Sequence, residues 1–297
     1  MDFKKIMVAG SGVLGSQIAF QTAFFGYRVN VYDISEEAIN AAKDRFNRLQ
    51  NTYEEYFNDK EKAKEAYARI LFYSDLAEAV KDVDLVIEAV PERMDIKRAF
   101  YEQLAPLAPE HTIFASNSST MLPSQFASFT GRPEKFLALH FANSIWKNNT
   151  AEIMGHEGTN EEYTKQVVKF ARSIGMIPFH LKKEQSGYIL NSLLVPFLDA
   201  GMSLWANGVA DPHTIDKNWM IATGAPAGPF GILDTVGMET PYNLMRAKEA
   251  GNPIAKVIAD KIKEEYIDQG KMGIATGEGF YKYPNPVFMD KDFLKVN

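Results

Sequence analysis

Five histidines and no cysteine leave this chain few side chains able to move a proton near neutral pH. His140 stands out by its setting. It closes the apolar run Phe136-Leu137-Ala138-Leu139, and twelve residues later a second short apolar segment carries Glu152. A carboxylate beside an imidazole fixes its tautomer and favours the imidazolium that forms when a proton is taken up, so the pair can serve as a general base. A lone histidine at a strand end is more often a hydrogen-bonded filler, and the surrounding elements must decide between the two. No His-x-x-x-His pair and no thiolate ligand are present, so no metal is expected.

The bulk properties narrow the setting. The chain has 297 residues, enough for two domains, with 46% hydrophobic and 24% charged residues. A net charge of −6 argues against a nucleic-acid or anionic-membrane surface. No apolar run approaches the roughly 20 residues of a membrane span. The N-terminus enters a strand-like segment almost at once, with no signal-peptide pattern, and together with the lack of cysteine this fits a cytoplasmic protein.

The elements before His140 build a nucleotide seat. A short buried-strand pattern, residues 4–9, runs into Gly10-Ser11-Gly12-Val13-Leu14-Gly15, and an amphipathic helix follows from Ser16 to Phe25. The next strand, residues 27–32, ends in Asp33, 18 positions after the last glycine of the loop. This is G-x-G-x-x-G in the strand–turn–helix context that gives it meaning. Gly10 permits the turn, Gly12 admits a pyrophosphate and Gly15 allows close helix packing. Asp33 would accept hydrogen bonds from the ribose hydroxyls and repel a 2′-phosphate, so NAD is expected rather than NADP.

Residues 35–68 read as a helical excursion projecting from the sheet, far longer than a plain crossover needs. Strands at 70–73, 85–87 and 112–115 then alternate with helices at 76–80 and 95–104, as in a mostly parallel, doubly wound sheet. In such sheets ligands gather beyond the carboxyl ends of the strands, where Glu92, the Ser116–Ser119 loop and His140 all fall. After Glu152 a helix from 161 to 173 and a last strand, 176–181, end the alternation. A strongly apolar helix, 188–205, and helices near 211–222, 240–250 and 253–269 follow, with residues 224–230 as a structural turn between helices. The expected architecture is an α/β Rossmann-type domain over 1–183 and an all-α domain over 184–297 for substrate binding and dimerisation. The apolar 188–205 helix suggests a homodimer.

In colinear order over nearly the whole chain these motifs resemble the L-3-hydroxyacyl-CoA dehydrogenases. The resemblance rests on the glycine loop with Asp33, the stretch Val86 to Glu92 with Lys97, Ala115-Ser116-Asn117-Ser118-Ser119, and His140-Phe141-x-Asn143 with Glu152. It continues through Ser186-Gly187-Tyr188-Ile189-x-Asn191, Pro226-x-Gly228-Pro229-Phe230 and Gly277-Glu278-Gly279-Phe280-Tyr281. It implies hydride transfer to NAD with His140 as base, Glu152 as its orienting carboxylate, and Ser119 and Asn191 hydrogen-bonding the substrate oxygen and the histidine. It also implies that Glu92, Lys97 and Asn117 line the cofactor.

The sequence departs from the family on the substrate side. Where relatives read His-Phe-Phe-Asn-Pro, this chain has His140-Phe141-Ala142-Asn143-Ser144, followed by Ile145-Trp146-Lys147-Asn148. Asn143, Trp146 and Lys147 join Ser119 as candidate substrate contacts, although residues 146–148 read equally as a loop tip. The excursion carries Tyr53-Glu54-Glu55 where relatives often place lysines for the phosphates of coenzyme A, with Lys60 to Lys64 as substitutes. Ala275 and Ser192 replace a lysine and an arginine common in the family. A short 3-hydroxyacyl-CoA is the first expected substrate. A free 3-hydroxy acid of carnitine or gulonate type is the second, with Lys147 pairing its carboxylate. A non-catalytic NAD-binding protein is the third.

Overall fold

The computed structural model describes residues 3–295, and the chain divides into two compact units, Met1–Ile189 and Leu190–Asn297. The first is built on one eight-stranded sheet in the order β3-β2-β1-β4-β5-β6-β7-β8. These strands are β1 (Lys5–Ala9), β2 (Arg28–Tyr32), β3 (Ile70–Tyr73), β4 (Leu85–Glu88), β5 (Ile113–Ser116), β6 (Phe136–Phe141), β7 (Thr150–Met154) and β8 (Ile177–Leu181). All neighbours pair in parallel except β6 and β7. Alternation along β1 shows why the sheet is covered on both faces. Ile6 and Val8 enter one core, whereas Met7 and Ala9 enter the other.

The first core is closed by α1 (Val13–Phe24), α2 (Glu36–Phe57), α3 (Lys60–Ala68) and α6 (Glu161–Ser173). The second lies under α4 (Leu76–Val80) and α5 (Met94–Leu104). The excursion is the hairpin α2–α3, and it does not project as expected. Phe46, Leu49, Tyr53, Ala63 and Ala66 are buried in the same core as α1, and Tyr53 meets Phe20 and Phe24 at ring distances of 4.7 and 5.1 Å. Five buried apolar side chains on helical spacing in α2 outweigh the exposed acidic ones in choosing its orientation.

After β8 the segment 182–189 turns back over the sheet. Leu181 and Tyr188 cluster with Ala138 and Met154, so this segment belongs with the first unit and the division falls beyond residue 183. The second unit is helical: α7 (Leu190–Ala206), α8 (Pro212–Thr223), α9 (Pro229–Val236), α10 (Glu239–Lys248) and α11 (Pro253–Glu265). Helix α9 starts inside the stretch read as a turn and was not anticipated. It has only eight residues, and its first-turn N–H groups of Phe230 and Gly231 are capped by Asp216 of α8 rather than by a neighbour in sequence. Helix α11 ends at Glu265, and a 3₁₀ turn over Ile267–Gln269 replaces its expected last turn.

Candidate active site

The spacing of twelve between His140 and Glu152 is a matter of strand register. In the antiparallel β6–β7 pair His140 lies directly opposite Glu152, and Phe141 opposite Ala151. Opposed residues share a face and stand close together, whereas a slip of one residue would send Glu152 to the other face. The His140 Nδ1 is 3.1 Å from Glu152 Oε2, and both residues are about 95% buried, at 5% and 4% exposure. A carboxylate only accepts, so Nδ1 carries the proton and donates it. The Nε2 lone pair is then free to accept, and it faces Ser119 Oγ at 3.2 Å.

Ser119 is held by a carboxylate scaffold. Glu92 Oε1 accepts from the Ser118 hydroxyl (2.6 Å), the Ser119 N–H (3.0 Å), the Thr120 N–H (3.1 Å) and the Thr120 hydroxyl (2.9 Å). Burial works to raise the Glu92 carboxyl. The Ser118 bond, the charge of Lys97 and the bonds from Thr120 outweigh it and hold the group below the ordinary carboxylate range. Behind it, fully buried Glu88 receives the Val90 N–H, the Lys97 ammonium at 2.6 Å, the Ser116 hydroxyl and the Tyr101 hydroxyl. Lys97, 1% exposed, lies between Glu88 and Glu92, the latter at 3.3 Å. Its ammonium is thus engaged inside the loop scaffold. Asn117 is equally engaged, its Oδ1 accepting from the Phe141 N–H at 3.0 Å. That bond ties the β5 loop to the strand carrying His140.

The cofactor seat has the features that a dinucleotide needs. Gly10 has a φ of +97°, and a side chain there would strike the Ala89 carbonyl. A side chain on Gly15 would strike the Gly10 carbonyl, so the turn after β1 and the first turn of α1 meet at backbone distance. Gly12 opens onto clear space and caps α1 without a side-chain bond, leaving the first-turn N–H groups of Val13, Leu14 and Gly15 available to phosphate oxygens. Asp33 stands at the end of β2 with Oδ2 accepting from the Ser11 N–H at 2.8 Å and from the Ser11 hydroxyl. One residue in the seat had not been foreseen: Arg45 of α2 donates to the Ser11 carbonyl at 2.8 Å. Nothing in the local sequence pointed to it, because it arrives from the hairpin 34 residues away.

The loop between β6 and β7 joins the seat to the hairpin. Gln17 of α1 accepts from the Ser144 N–H at 2.8 Å. Trp146 is half-buried with its ring 5.7 Å from that of Tyr53, whose hydroxyl donates to Gln21. Of the four candidate substrate contacts, Ser119 touches the dyad, Asn143 and Lys147 are exposed, and Trp146 packs on the hairpin. Asn191 is the second residue of α7, in the second unit.

Two family models match. The 3-hydroxyacyl-CoA dehydrogenase NAD-binding domain covers residues 5–185, and the 3-hydroxyacyl-CoA dehydrogenase C-terminal domain covers 187–283. The mitochondrial hydroxyacyl-coenzyme A dehydrogenase of Homo sapiens is 32% identical over 289 residues, 94% of this chain and 91% of its own length. The solved (S)-3-hydroxybutyryl-CoA dehydrogenase of Ralstonia eutropha superposes with a TM-score of 0.81 at 25% identity, covering 96% of this chain and 100% of its own. A diketoreductase solved in connection with substrate-directed dual catalysis of dicarbonyl compounds is 55% identical with a TM-score of 0.91, covering 95% of this chain and 100% of its own. The chain belongs to the 3-hydroxyacyl-CoA dehydrogenase family and is an NAD-dependent oxidoreductase acting on a CH–OH donor.

Proposed function

We propose that this enzyme interconverts a 3-hydroxy compound and its 3-oxo form, with His140 as general base, Glu152 as its orienting carboxylate and Ser119 as a hydrogen-bonding group for the reacting oxygen. The observation that carries this reading is the continuous line Ser119 Oγ, His140 Nε2, His140 Nδ1, Glu152 Oε2, with gaps of 3.2 and 3.1 Å across the ring. In the oxidation direction the hydroxyl proton passes to Nε2 as the carbonyl forms, and the Glu152 charge stabilises the resulting imidazolium. NAD, when bound, supplies the hydride acceptor. Asn191 enters the set from its motif, as a hydrogen-bonding residue. Asp33 governs cofactor choice: kcat/KM with NADH should exceed that with NADPH by about tenfold or more, and Asp33→Gly should narrow the gap. A wild type preferring NADPH would reject that assignment.

On the substrate, the family favours a short 3-hydroxyacyl-CoA. A second reading, a free dicarbonyl or 3-hydroxy acid, is supported by the hairpin and by the 55% identity to a diketoreductase. The hairpin buries Tyr53, exposes Glu55 and pairs Lys60 with Glu54 at 3.6 Å, while Lys62 lies over Phe24 at 4.3 Å. Those lysines are poorly placed to serve a multiply anionic ligand. NADH absorbance followed with acetoacetyl-CoA, free acetoacetate and a 3,5-dioxo ester, and in reverse with 3-hydroxybutyryl-CoA, 3-hydroxybutyrate, carnitine and gulonate, decides. At least tenfold higher kcat/KM for the thioesters selects the first reading, and the opposite order selects the second. Turnover of none would reject both. We infer a homodimer from the exposed Leu193 and Leu204 of α7, at 70% and 43% exposure, and sedimentation equilibrium at the monomer mass would refute it.

A further inference from the structure

Tyr188 stacks on the His140 ring, and the reaction described above makes no use of it. Its ring lies parallel to the His140 imidazole, with centroids 4.5 Å apart and an interplanar angle of 11°. Its hydroxyl donates to the Ser118 carbonyl at 2.7 Å, and the residue is 1% exposed. The backbone has been bent to put it there. Gly187 has a φ of +79° and Tyr188 one of +54°, and the Tyr188 N–H closes a turn onto the Gln185 carbonyl. An aromatic residue in the left-handed region costs about 1 kcal/mol or more and persists where its surroundings demand it. The next residue uses the same turn, the Ile189 N–H donating to Glu152 Oε1 at 2.9 Å. One turn of chain therefore touches His140, its carboxylate, and the loop that presents Ser119.

We propose that Tyr188 is a positioning residue of the His140 base: its ring fixes the imidazole plane and stabilises the imidazolium, and its hydroxyl latches the Ser118–Ser119 loop to the same frame. The inference rests on the assignment of His140 made above. An aromatic face attracts a cation placed over it, so the ring favours the protonated state that the reaction creates. The other charged groups near the stacked pair are Glu152 against Nδ1, Glu92 behind Ser118 and Ser119, and the buried Glu88–Lys97 pair. The ring acts in addition to these charges, and Tyr188→Phe keeps it while releasing the hydroxyl from the Ser118 carbonyl.

Tyr188→Leu and Tyr188→Phe separate ring from hydroxyl. For Tyr188→Leu we expect kcat to fall at least about tenfold, with NADH affinity by fluorescence titration and substrate KM held within about twofold. The acid limb of its kcat/KM profile should move down by roughly half a pH unit, the size of a lost cation–π contact. The His140 titration, read by NMR without turnover, should move with it. Tyr188→Phe should restore the limb and most of kcat. A wild-type rate and profile for Tyr188→Leu overturns the proposal. So does a Leu variant whose NADH affinity and melting temperature fall together while the limb stays in place, or a Phe variant indistinguishable from Leu. His140→Ala is assayed alongside. If it keeps its turnover, the assignment of the base fails. If it is inactive while Tyr188→Leu is normal, only the role of Tyr188 falls.

Discussion

Replacing His140 by alanine is expected to lower turnover by about 10³-fold, in the range that a positioned general base supplies, while leaving NADH binding within about twofold of wild type. The substitution removes the Nε2 acceptor that faces Ser119 Oγ, and a water filling the vacated space is a far weaker base than imidazole. Glu152 would remain anchored by the Ile189 N–H. The proposed cofactor seat, the glycine loop with Asp33, shares no hydrogen bond with His140. Glu152→Gln should fall by about 10². It keeps the shape but removes the charge that pairs with the imidazolium, and its amide can present a donor to Nδ1 and so reverse the tautomer. Initial rates at saturating substrate, with fluorescence titration of NADH, check both. A His140→Ala enzyme retaining more than a tenth of wild-type kcat would remove the base from the mechanism.

Much of this site could be read from the sequence because it is local backbone chemistry. The glycine loop is a turn whose residues touch one another, and the distance from Gly15 to Asp33 is one helix plus one strand. The His140–Glu152 spacing is legible for the same reason, since a hairpin converts separation along the chain into a cross-strand pair. Partnerships between residues far apart in the chain were not legible, even where a residue such as Lys97 had been named. Glu88, Lys97 and Tyr101 meet because β4 and α5 pack together, and Arg45 reaches Ser11 only once the hairpin has folded onto α1. Tyr188 was visible as a motif letter, but its stacking on His140 depends on two successive left-handed residues, and no periodicity announces those.

The same division runs through the fold. Alternating strands and helices predicted the mostly parallel sheet, whereas the segment carrying Glu152 was read only as a short apolar stretch and turns out to be a strand antiparallel to β6. The excursion was recognised by its length, which was read as a projection from the sheet, but Phe46, Leu49 and Tyr53 set a buried face that packs it against α1. In the second unit the blocks around Gly228 and Gly279 were recognised as motifs without a reason. The structure supplies one: a side chain on either glycine would collide with a buried aspartate, Asp216 or Asp234.

Those aspartates carry the second large prediction. Asp234, 1% exposed, accepts the Phe280 and Tyr281 N–H groups at 2.8 Å each and the Tyr283 hydroxyl at 3.0 Å. It thereby holds the segment 279–283 against α9. Asp234→Ala strands two buried N–H donors and the part-buried Tyr283 hydroxyl, each buried donor worth about 1–3 kcal/mol when left unsatisfied. Allowing for water entry, we expect a loss of about 3–5 kcal/mol, a large part of the roughly 5–15 kcal/mol that a domain has in total. For a unit of this size the melting temperature should fall by more than about 10 °C. Burial raises the Asp234 carboxyl above the ordinary 3.8, against the pull of its backbone and tyrosine bonds. The folded chain therefore holds this proton more tightly than the unfolded one, so this group's contribution to stability declines as pH rises from 3.8 through the folded value. That part of the pH–stability slope should vanish in the variant. Trp205 reports the change directly, since its ring lies 5.6 Å from Phe280 and 6.1 Å from Phe230. Urea unfolding followed by tryptophan emission in a Trp146→Phe background, within 1 kcal/mol of the matched control, would show that Asp234 does not hold the segment.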